Sequence, residues 1–386
     1  MTGKKNIRKR TFLQVVPSLV SGGVERGTLE VAKRIVASGY NSVVISNGGS
    51  MVDRLLAEGS THIKLPVHSK TPFIIWQNSV KIAKLIKEQE VDIIHARSRA
   101  PAWSSFLAAK NTGIKFVTTF HGIYNFNNVL KKYYNSIMTK GNLVIAVSNF
   151  VKNHITDNYL INSDKITVIY RGVDHTVFSK NNLSINKMNK LKVKYQVPNN
   201  IPILLLPSRM TNWKGQLVLI EALNKLNKEQ NLEFYTLLIG DCLRHPNYVS
   251  RLRQLVDDYS LQEKIGIFDS QLDMLNLYGI ADIVVSTSIE PEAFGRTIIE
   301  AQSMEKLVIS TNIGGAAETI IDGKTGFHVE PNNSEQLAEK LLQCLAILNT
   351  NVANSITKAA RSNVLKHFSL DSMLSSTMLA YEQLLS

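Results

Sequence analysis

Short β-rich runs alternate with helical patterns along this chain, and the alternation begins twice. In the first half the candidate strands include Phe12–Val16, Ser42–Ser46 and Asp92–His95, with amphipathic stretches such as Val24–Ala37 between them. The pattern restarts at Ile203–Pro207 and continues almost to the end of the chain. Alternating strands and helices favour parallel sheets with right-handed crossovers. A chain of 386 residues is also too long for one ordinary core. We therefore predict an α/β protein with two doubly wound, Rossmann-like domains.

The segment Asn181–Asn200 separates the two halves in composition. It is rich in Asn and Lys and ends in Val-Pro-Asn-Asn, which is typical of a linker. We predict a first domain over residues 1–180, a linker over 181–200, a second domain over 201–366 and a closing helical segment over 367–386.

Composition excludes several classes of protein. The longest apolar runs have the length of strands and fall far short of the ~20 residues that a membrane span needs. The apolar stretch after the basic start, Phe12–Pro17, is too short for the core of a signal peptide, so we expect a cytoplasmic protein. The two cysteines, Cys242 and Cys344, lie far apart and suggest neither a disulfide framework nor a zinc site.

The formal net charge of +13 indicates anionic partners. The basic residues are dispersed and no nucleic-acid-binding motif is present, so we expect phosphorylated substrates and an anionic membrane surface but no nucleic acid. Basic residues precede the first strand, at Lys4, Lys5, Arg8, Lys9 and Arg10. We expect this cluster to dock at the inner face of the membrane.

Ligands of open α/β sheets bind beyond the carboxyl ends of the strands. Small, polar and charged residues follow several of the predicted strands: Ser21-Gly22-Gly23, His95-Ala96-Arg97, His121-Gly122, Arg209 to Lys214, Gly240-Asp241 and Glu290-Pro291-Glu292. We therefore expect one edge of each domain to bind ligands, with the site in a cleft between the domains.

The strongest motif is Glu292-Ala-Phe-Gly-Arg-Thr-Ile-Ile-Glu300. Gly295 should open a helix, whose unpaired backbone N–H groups can bind an anion. Glu292 stands just before that helix and can accept hydrogen bonds from sugar hydroxyls. Glu300 lies about two turns further along the same face, where it can reach a ribose diol. The ordinary alternative is a pair of solvated helix glutamates.

This segment resembles the E-x7-E motif of glycosyltransferase family 4, the large family of retaining enzymes with the two-domain GT-B fold. Three further segments fit the same family: the glycine-rich first loop with Gly22 and Gly23, the Phe120-His121-Gly122 segment, and the stretch from Arg209 to Lys214. The resemblance implies a retaining hexosyltransferase that uses a nucleotide-sugar donor. It also implies that the closing helix crosses back to pack on the first domain.

The resemblance assigns roles to particular residues. His121, Arg209, Lys214 and Glu292 would be catalytic, with Arg209 and Lys214 neutralising the leaving diphosphate. The donor would also contact residues of both domains, namely Gly22, Gly23, Gly240, Phe294, Gly295 and Glu300. We expect the acceptor to contact His95, Arg97 and Arg99, which follow the fourth strand.

No metal or cofactor is expected. The chain contains no Asp-x-Asp sequence, so a metal-bridged diphosphate site has no ligands, and the cations Arg209 and Lys214 would take the place of the metal. Gly323-Lys324-Thr325 imitates the end of a P-loop, but the residue in the place of its first glycine is Glu318. The dinucleotide-binding fingerprint is also absent. The first loop reads Ser-Gly-Gly-Val-Glu-Arg-Gly, and the second strand ends near Asn47 and not at an acidic residue that could bind a ribose.

The segments around His95 and Gly240 look most similar to bacterial lipopolysaccharide-core mannosyltransferases. This implies GDP-mannose as donor and an anionic glycolipid, a lipid A–core structure, as acceptor. Two alternatives stay open: a nucleotide-sugar 2-epimerase on the same fold, and a non-catalytic nucleotide-sugar-binding protein. An epimerase should have additional acid/base carboxylates in the first domain, and a binding protein should have broken motifs.

Overall fold

The structure is a computed structural model that describes residues 8–20, 22–230 and 232–386. The chain forms two compact units. Unit 1 contains the residues up to Ile169 together with Met373–Ser386, and unit 2 contains Tyr170–Ser372. Three residues of predicted functional segments lie outside the described residues: Lys4 and Lys5 of the basic cluster, and Ser21 of the glycine-rich loop.

Unit 1 has a parallel sheet. Its strands within the described residues are β1 (Thr11–Val15), β2 (Asn41–Ser46), β3 (Thr61–Lys64), β4 (Ile93–Ala96), β5 (Lys115–Phe120), β6 (Leu143–Ala146) and β7 (Ile166–Val168). Their order is β3-β2-β1-β4-β5-β6-β7, and every neighbouring pair is parallel. The connecting helices are α1 (Gly23–Ala37), α2 (Val52–Ala57), α3 (Pro72–Glu88), α4 (Arg99–Thr112), α5 (Val129–Ser136) and α6 (Asn149–Asn158).

Unit 2 repeats this architecture. Its first α-helix is α7 (Ile185–Lys194), and its described strands are β8 (Ile203–Pro207), β9 (Tyr235–Ile239), β10 (Ile265–Phe268), β11 (Ile283–Ser286), β12 (Leu307–Thr311) and β13 (Phe327–Val329). The order is β10-β9-β8-β11-β12-β13, again all parallel. The helices are α8 (Gln216–Gln230), α9 (Pro246–Asp258), α10 (Met274–Ile280), α11 (Arg296–Ser303), α12 (Ser334–Ile347) and α13 (Asn351–His367). Two Rossmann-like α/β domains confirm the predicted fold class.

The run of apolar residues in β8 shows why the sheet of unit 2 needs helices on both faces. Leu204 and Leu206 enter one core cluster, and Ile203 and Leu205 enter another. Because successive strand residues point to opposite faces, a strand that is apolar at every position must be buried on both sides.

The predicted linker is largely helical and belongs to unit 2. Leu191 and Tyr195 of the α7 region are buried in the same core as Leu205, and Met188 packs against that core. Their spacing of three and four residues places them on one helix face. The Asn and Lys residues that make the segment look like a linker are exposed on the rest of the helix. The boundary between the units lies near Ile169 and not at 181–200.

The closing helix, α14 (Leu370–Leu385), belongs to unit 1 from Met373 onward. The ring of Tyr381 stacks on Phe12 of β1 with ring centroids 5.1 Å apart. The Arg34 guanidinium of α1 donates a hydrogen bond to the Ser375 hydroxyl at 3.0 Å. The C-terminal residues therefore pack on the first domain, as the sequence predicted.

Candidate active site

Two loops of unit 2 come together through a close backbone contact. The loop after β8 ends in a turn, Asn212–Lys214, and in Gly215 with a left-handed φ of 70°. A Cβ atom on Gly215 would lie 1.8 Å from the Thr287 carbonyl oxygen, so only glycine permits this approach. The Thr287 hydroxyl donates to the Lys214 carbonyl at 3.0 Å, which ties the loop to the end of β11.

This contact places a cation beside a carboxylate. Lys214 Nζ lies 2.6 Å from Glu292 Oε1, and both side chains are mostly buried. The Ser288 hydroxyl donates a hydrogen bond to the same Glu292 oxygen. Burial lowers the pKa of Lys214, and the adjacent Glu292 carboxylate opposes that shift. Two residues that the sequence predicted separately as catalytic thus meet in space, although 78 positions separate them.

Trp213 lies next to both predicted cations. Lys214 Nζ is 4.3 Å from the centre of the indole ring, and the Arg209 guanidinium carbon is 5.1 Å from it. A ring within about 6 Å attracts cations through its quadrupole, so Trp213 holds the two positive groups near each other. No role was predicted for Trp213, although it stands between Arg209 and Lys214 in the sequence.

Glu292 is also fixed through its backbone. Its carbonyl accepts a hydrogen bond from Gly315 N–H at 2.7 Å, and it forms a parallel bridge to Gly314. Gly295 follows with a left-handed φ of 91° and precedes α11. Its predicted place at the start of the helix is therefore correct, and no side chain caps that helix end. Gly240 directly follows β9, as predicted.

Glu300 is buried inside unit 2, with about 6% of its surface exposed. The Tyr278 hydroxyl donates to Glu300 Oε2 at 3.0 Å, and Arg296 lies 3.8 Å from Oε1. The sequence predicted the helix position of Glu300 but not its partner Tyr278, which lies 22 positions away on α10. Any ligand that reaches this carboxylate shares it with Tyr278.

The structure revises the role of Phe294. Its ring is buried and packs against Tyr170 and Phe368 at centroid distances of 6.0 and 5.7 Å. The side chain therefore belongs to an aromatic cluster of unit 2, and only its backbone remains for the predicted contact with a donor.

In unit 1, the predicted residues lie at the carboxyl edge of the sheet. His121 comes directly after β5 and is half-buried, and Gly22 and Gly23 stand at the start of α1 after β1. Arg99 opens α4; its guanidinium carbon lies 4.5 Å from the centre of the Tyr124 ring, and it donates to Asn135 Oδ1 at 2.8 Å. All four residues occupy positions that the sequence predicted.

The structure revises the acceptor role of His95 and Arg97, because both are buried within unit 1. The two imidazole nitrogens of His95 face the hydroxyls of Tyr381 and Thr119 at 2.6 and 2.7 Å. Arg97 Nε donates to Gln14 Oε1 at 2.7 Å. Each side chain is therefore committed to the interior, and Arg99 alone of the three remains half-exposed.

Within residues 8–20, 22–230 and 232–386, no group of three His, Cys, Asp or Glu side chains is arranged to hold a metal ion. In the same part of the chain, no helix combines the length and the apolar character that crossing a bilayer requires.

Comparison with known proteins identifies the families that the chain matches. Residues 21–177 match Glycosyltransferase Family 4, and residues 187–363 match Glycosyl transferases group 1. The crystal structure of a glycosyltransferase from Rickettsia africae is 56% identical, with a TM-score of 0.91 over 98% of this chain and 99% of that one.

Two more distant proteins are also similar to this chain. N-acetyl-alpha-D-glucosaminyl L-malate synthase of Bacillus anthracis is 26% identical over 76% of this chain and 75% of its own length. HepE of Anabaena, solved in complex with UDP-glucose, is 23% identical and shares the fold, with a TM-score of 0.81 over 97% of this chain and 99% of its own. The chain is therefore a glycosyltransferase, and it belongs to family 4 of these enzymes with the GT-B fold.

Proposed function

We propose that this enzyme transfers a hexose, with retention of the anomeric configuration, from a nucleotide-sugar to an anionic glycolipid at the inner face of the cytoplasmic membrane. The observation that supports the donor half is the group formed by Arg209, Lys214 and Glu292. It places two cations and one carboxylate at the carboxyl edge of the unit 2 sheet, where α/β proteins bind phosphorylated ligands.

The cations suit a diphosphate leaving group. When the bond between the sugar C1 and the phosphate oxygen breaks, negative charge develops on the diphosphate, and fixed positive groups stabilise it. An ammonium has three N–H donors, so Lys214 can keep its contact with Glu292 while it donates to a phosphate oxygen. The second carboxylate oxygen of Glu292 can accept a hydrogen bond from a sugar hydroxyl.

The reaction requires one bond exchange. The acceptor hydroxyl oxygen forms the new bond to C1, the diphosphate departs, and the hydroxyl proton passes to a departing diphosphate oxygen. We favour this front-face course because the sequence suggests no side-chain nucleophile for a double displacement. His121 would position the transferred sugar or the acceptor hydroxyl, and Glu300 would bind the ribose.

For the acceptor half, we propose that Arg99 binds a phosphate or carboxylate of the glycolipid. Arginine presents planar paired donors that match these groups. Arg99 is half-exposed at the carboxyl edge of the unit 1 sheet, the same edge at which His121 lies. His95 and Arg97 would support this edge from below without touching the acceptor.

For the donor, we propose GDP-mannose, which the resemblance to lipopolysaccharide-core mannosyltransferases implies. The complex of HepE with UDP-glucose makes UDP-glucose the competing donor. A thermal-shift panel of GDP, UDP and ADP separates the two, because a ligand at 100 times its Kd adds about 2.7 kcal/mol of stability.

The activity is tested by incubating the protein with labelled GDP-mannose or UDP-glucose and a bacterial glycolipid extract. The proposal predicts label in the lipid fraction, and it predicts that EDTA leaves the rate unchanged because cationic side chains neutralise the diphosphate. Release of an epimerised nucleotide-sugar would favour the epimerase alternative. Binding without turnover would favour the non-catalytic one.

A further inference from the structure

Unit 1 exposes large apolar side chains at the beginnings of two helices. They are Phe73 and Trp76 in the first turns of α3, and Val129, Leu130 and Tyr133 of α5, and each is between 58% and 82% exposed. Phe73 and Trp76 stack on each other with ring centroids 6.2 Å apart. We call these five residues the apolar rim. An exposed cluster of this kind usually marks a surface that binds a partner.

The topology places both parts of the rim at the same edge of the sheet. The strands β3 and β5 are parallel, so their carboxyl ends point the same way, and α3 and α5 begin after those ends. Helix α4 connects the two parts, because it packs against α3 and its Trp103 contacts Tyr133 of α5 with ring centroids 5.6 Å apart. Arg99 and His121 lie at this edge as well.

The charge of this region identifies the kind of partner. Residues 59–156 contain thirteen Lys and Arg against three acidic residues, and no Asp or Glu occurs between Asp92 and Asp157. Lys131 and Lys132 are exposed within the rim itself, next to Leu130. A second copy of this chain would bring like charges together at the same face, which is unfavourable. An anionic surface would complement them.

The predicted basic cluster at the N-terminus is a weaker candidate for membrane docking. The guanidinium of Arg8 forms an ion pair with Asp92 and donates a hydrogen bond to the Glu90 carbonyl at 2.5 Å. Its charge is thus partly neutralised within unit 1.

We propose that the apolar rim inserts into the interface of an anionic lipid bilayer, with Lys131 and Lys132 at the headgroups. Aromatic side chains favour this interfacial depth, and apolar residues combined with basic ones are typical of surfaces that lie on a membrane. The proposal deepens the proposed function, since it would hold Arg99 and His121 against the surface that contains a lipid-linked acceptor.

Flotation with vesicles tests this proposal. The full-length protein is mixed with vesicles of phosphatidylglycerol and phosphatidylcholine or of phosphatidylcholine alone, at low and high salt. We expect binding to the anionic vesicles only, weakened by salt because surface attraction is screened over roughly 8 Å at physiological ionic strength. Trp76→Ser and Leu130→Ser should each lower the partition coefficient about tenfold, because each removes apolar surface from the interface.

Val193→Ser is the matched control. Val193 is as exposed as Leu130, at 80% against 81%, and it also stands beside two lysines, Lys192 and Lys194, but on α7 of unit 2. It should leave vesicle binding unchanged. Because all three positions are exposed, thermal unfolding should show that each variant folds like the wild type.

The outcomes separate this inference from the proposed function. Equal losses in all three variants, or binding that is insensitive to Trp76→Ser and Leu130→Ser, would overturn the rim as the docking surface. A rim variant that binds vesicles normally but loses self-association on size-exclusion chromatography would show a protein interface instead. Hydrolysis of the donor in the absence of acceptor should be unchanged in the rim variants. If the wild-type protein does not hydrolyse the donor, that result would count against the proposed activity but not against membrane binding by the apolar rim.

Discussion

At the scale of single residues, Lys214 is the side chain on which the donor mechanism depends most. Lys214→Ala and Arg209→Ala should each lower kcat/KM by about 10²-fold or more, because each removes a charge that stabilises the leaving diphosphate. Steady-state kinetics with saturating acceptor measures this effect. Lys225→Ala is the control, since Lys225 also pairs with a carboxylate at 2.7 Å, Glu335, but on the surface of unit 2. Equal rates in Lys214→Ala and Lys225→Ala would remove Lys214 from the mechanism.

Alanine variants of the two glutamates of the E-x7-E motif should have different effects on transfer and on nucleotide binding. Glu292→Ala should reduce transfer far more than nucleotide affinity, because Glu292 is assigned to the sugar. Glu300→Ala should weaken binding of the free nucleotide, measured by calorimetry, because Glu300 is assigned to the ribose.

Tyr278→Phe is the control for Glu300, since it removes only the hydroxyl that donates to that carboxylate. Loss of a buried hydrogen bond costs about 1–3 kcal/mol of stability. If Tyr278→Phe weakened nucleotide binding as much as Glu300→Ala, the glutamate would act by supporting the fold, and the ribose assignment would fail.

At the scale of elements, Tyr381 attaches the C-terminal helix to a buried polar group. A neutral imidazole has one donor and one acceptor nitrogen, so His95 can satisfy the two hydroxyls that it faces. Burial holds the pKa of His95 well below 6.5, and the Arg97 charge adds to that shift. Protonation of His95 would break this arrangement.

This predicts a pH dependence of stability. Because the folded-state pKa lies below the unfolded value of about 6.5, the unfolded chain binds more protons below that pH. The stabilisation is therefore fully present above about pH 6.5 and is lost as the pH falls towards the folded pKa. His95→Gln should flatten the fall in the free energy of unfolding between about pH 7 and 5, as measured by denaturant titration. Parallel curves for the variant and the wild type would contradict this role.

Most strands and helices could be predicted because their own residues show the apolar pattern that is typical of a strand or a helix. Short apolar runs marked strands such as β1 and β8 to within a residue or so. Strand β13 was missed because Phe327–Val329 has only three residues, too few to show a period. Helix α7 was missed because its composition resembles a linker, although Met188, Leu191 and Tyr195 have helical spacing.

The residues of the candidate site could likewise be predicted only in part. Charged and glycine residues that follow strands were found, because topology alone places them at the carboxyl edge. Ser288 and Tyr278 could not be found, since only the folded structure brings their hydroxyls to Glu292 and Glu300. Likewise, burial of His95, Arg97 and Phe294 depends on packing that no local pattern shows.

At the scale of the whole molecule, the charge is divided unevenly. Ten of the thirteen net positive charges come from residues 59–156 of unit 1, whereas the proposed donor residues lie in unit 2. This distribution fits the proposal that unit 1 binds an anionic acceptor at a membrane and that unit 2 binds the nucleotide-sugar.

The anomeric configuration of the product tests the central claim most directly. Wild-type protein is incubated with an α-linked nucleotide-sugar and acceptor, and the anomeric signals of the purified product are recorded by ¹H and ¹³C NMR. Retention predicts an α-linked sugar, formed at a rate that falls about 10²-fold in Lys214→Ala. A β-linked product, or transfer that proceeds equally well without Lys214, would contradict the proposed retaining mechanism.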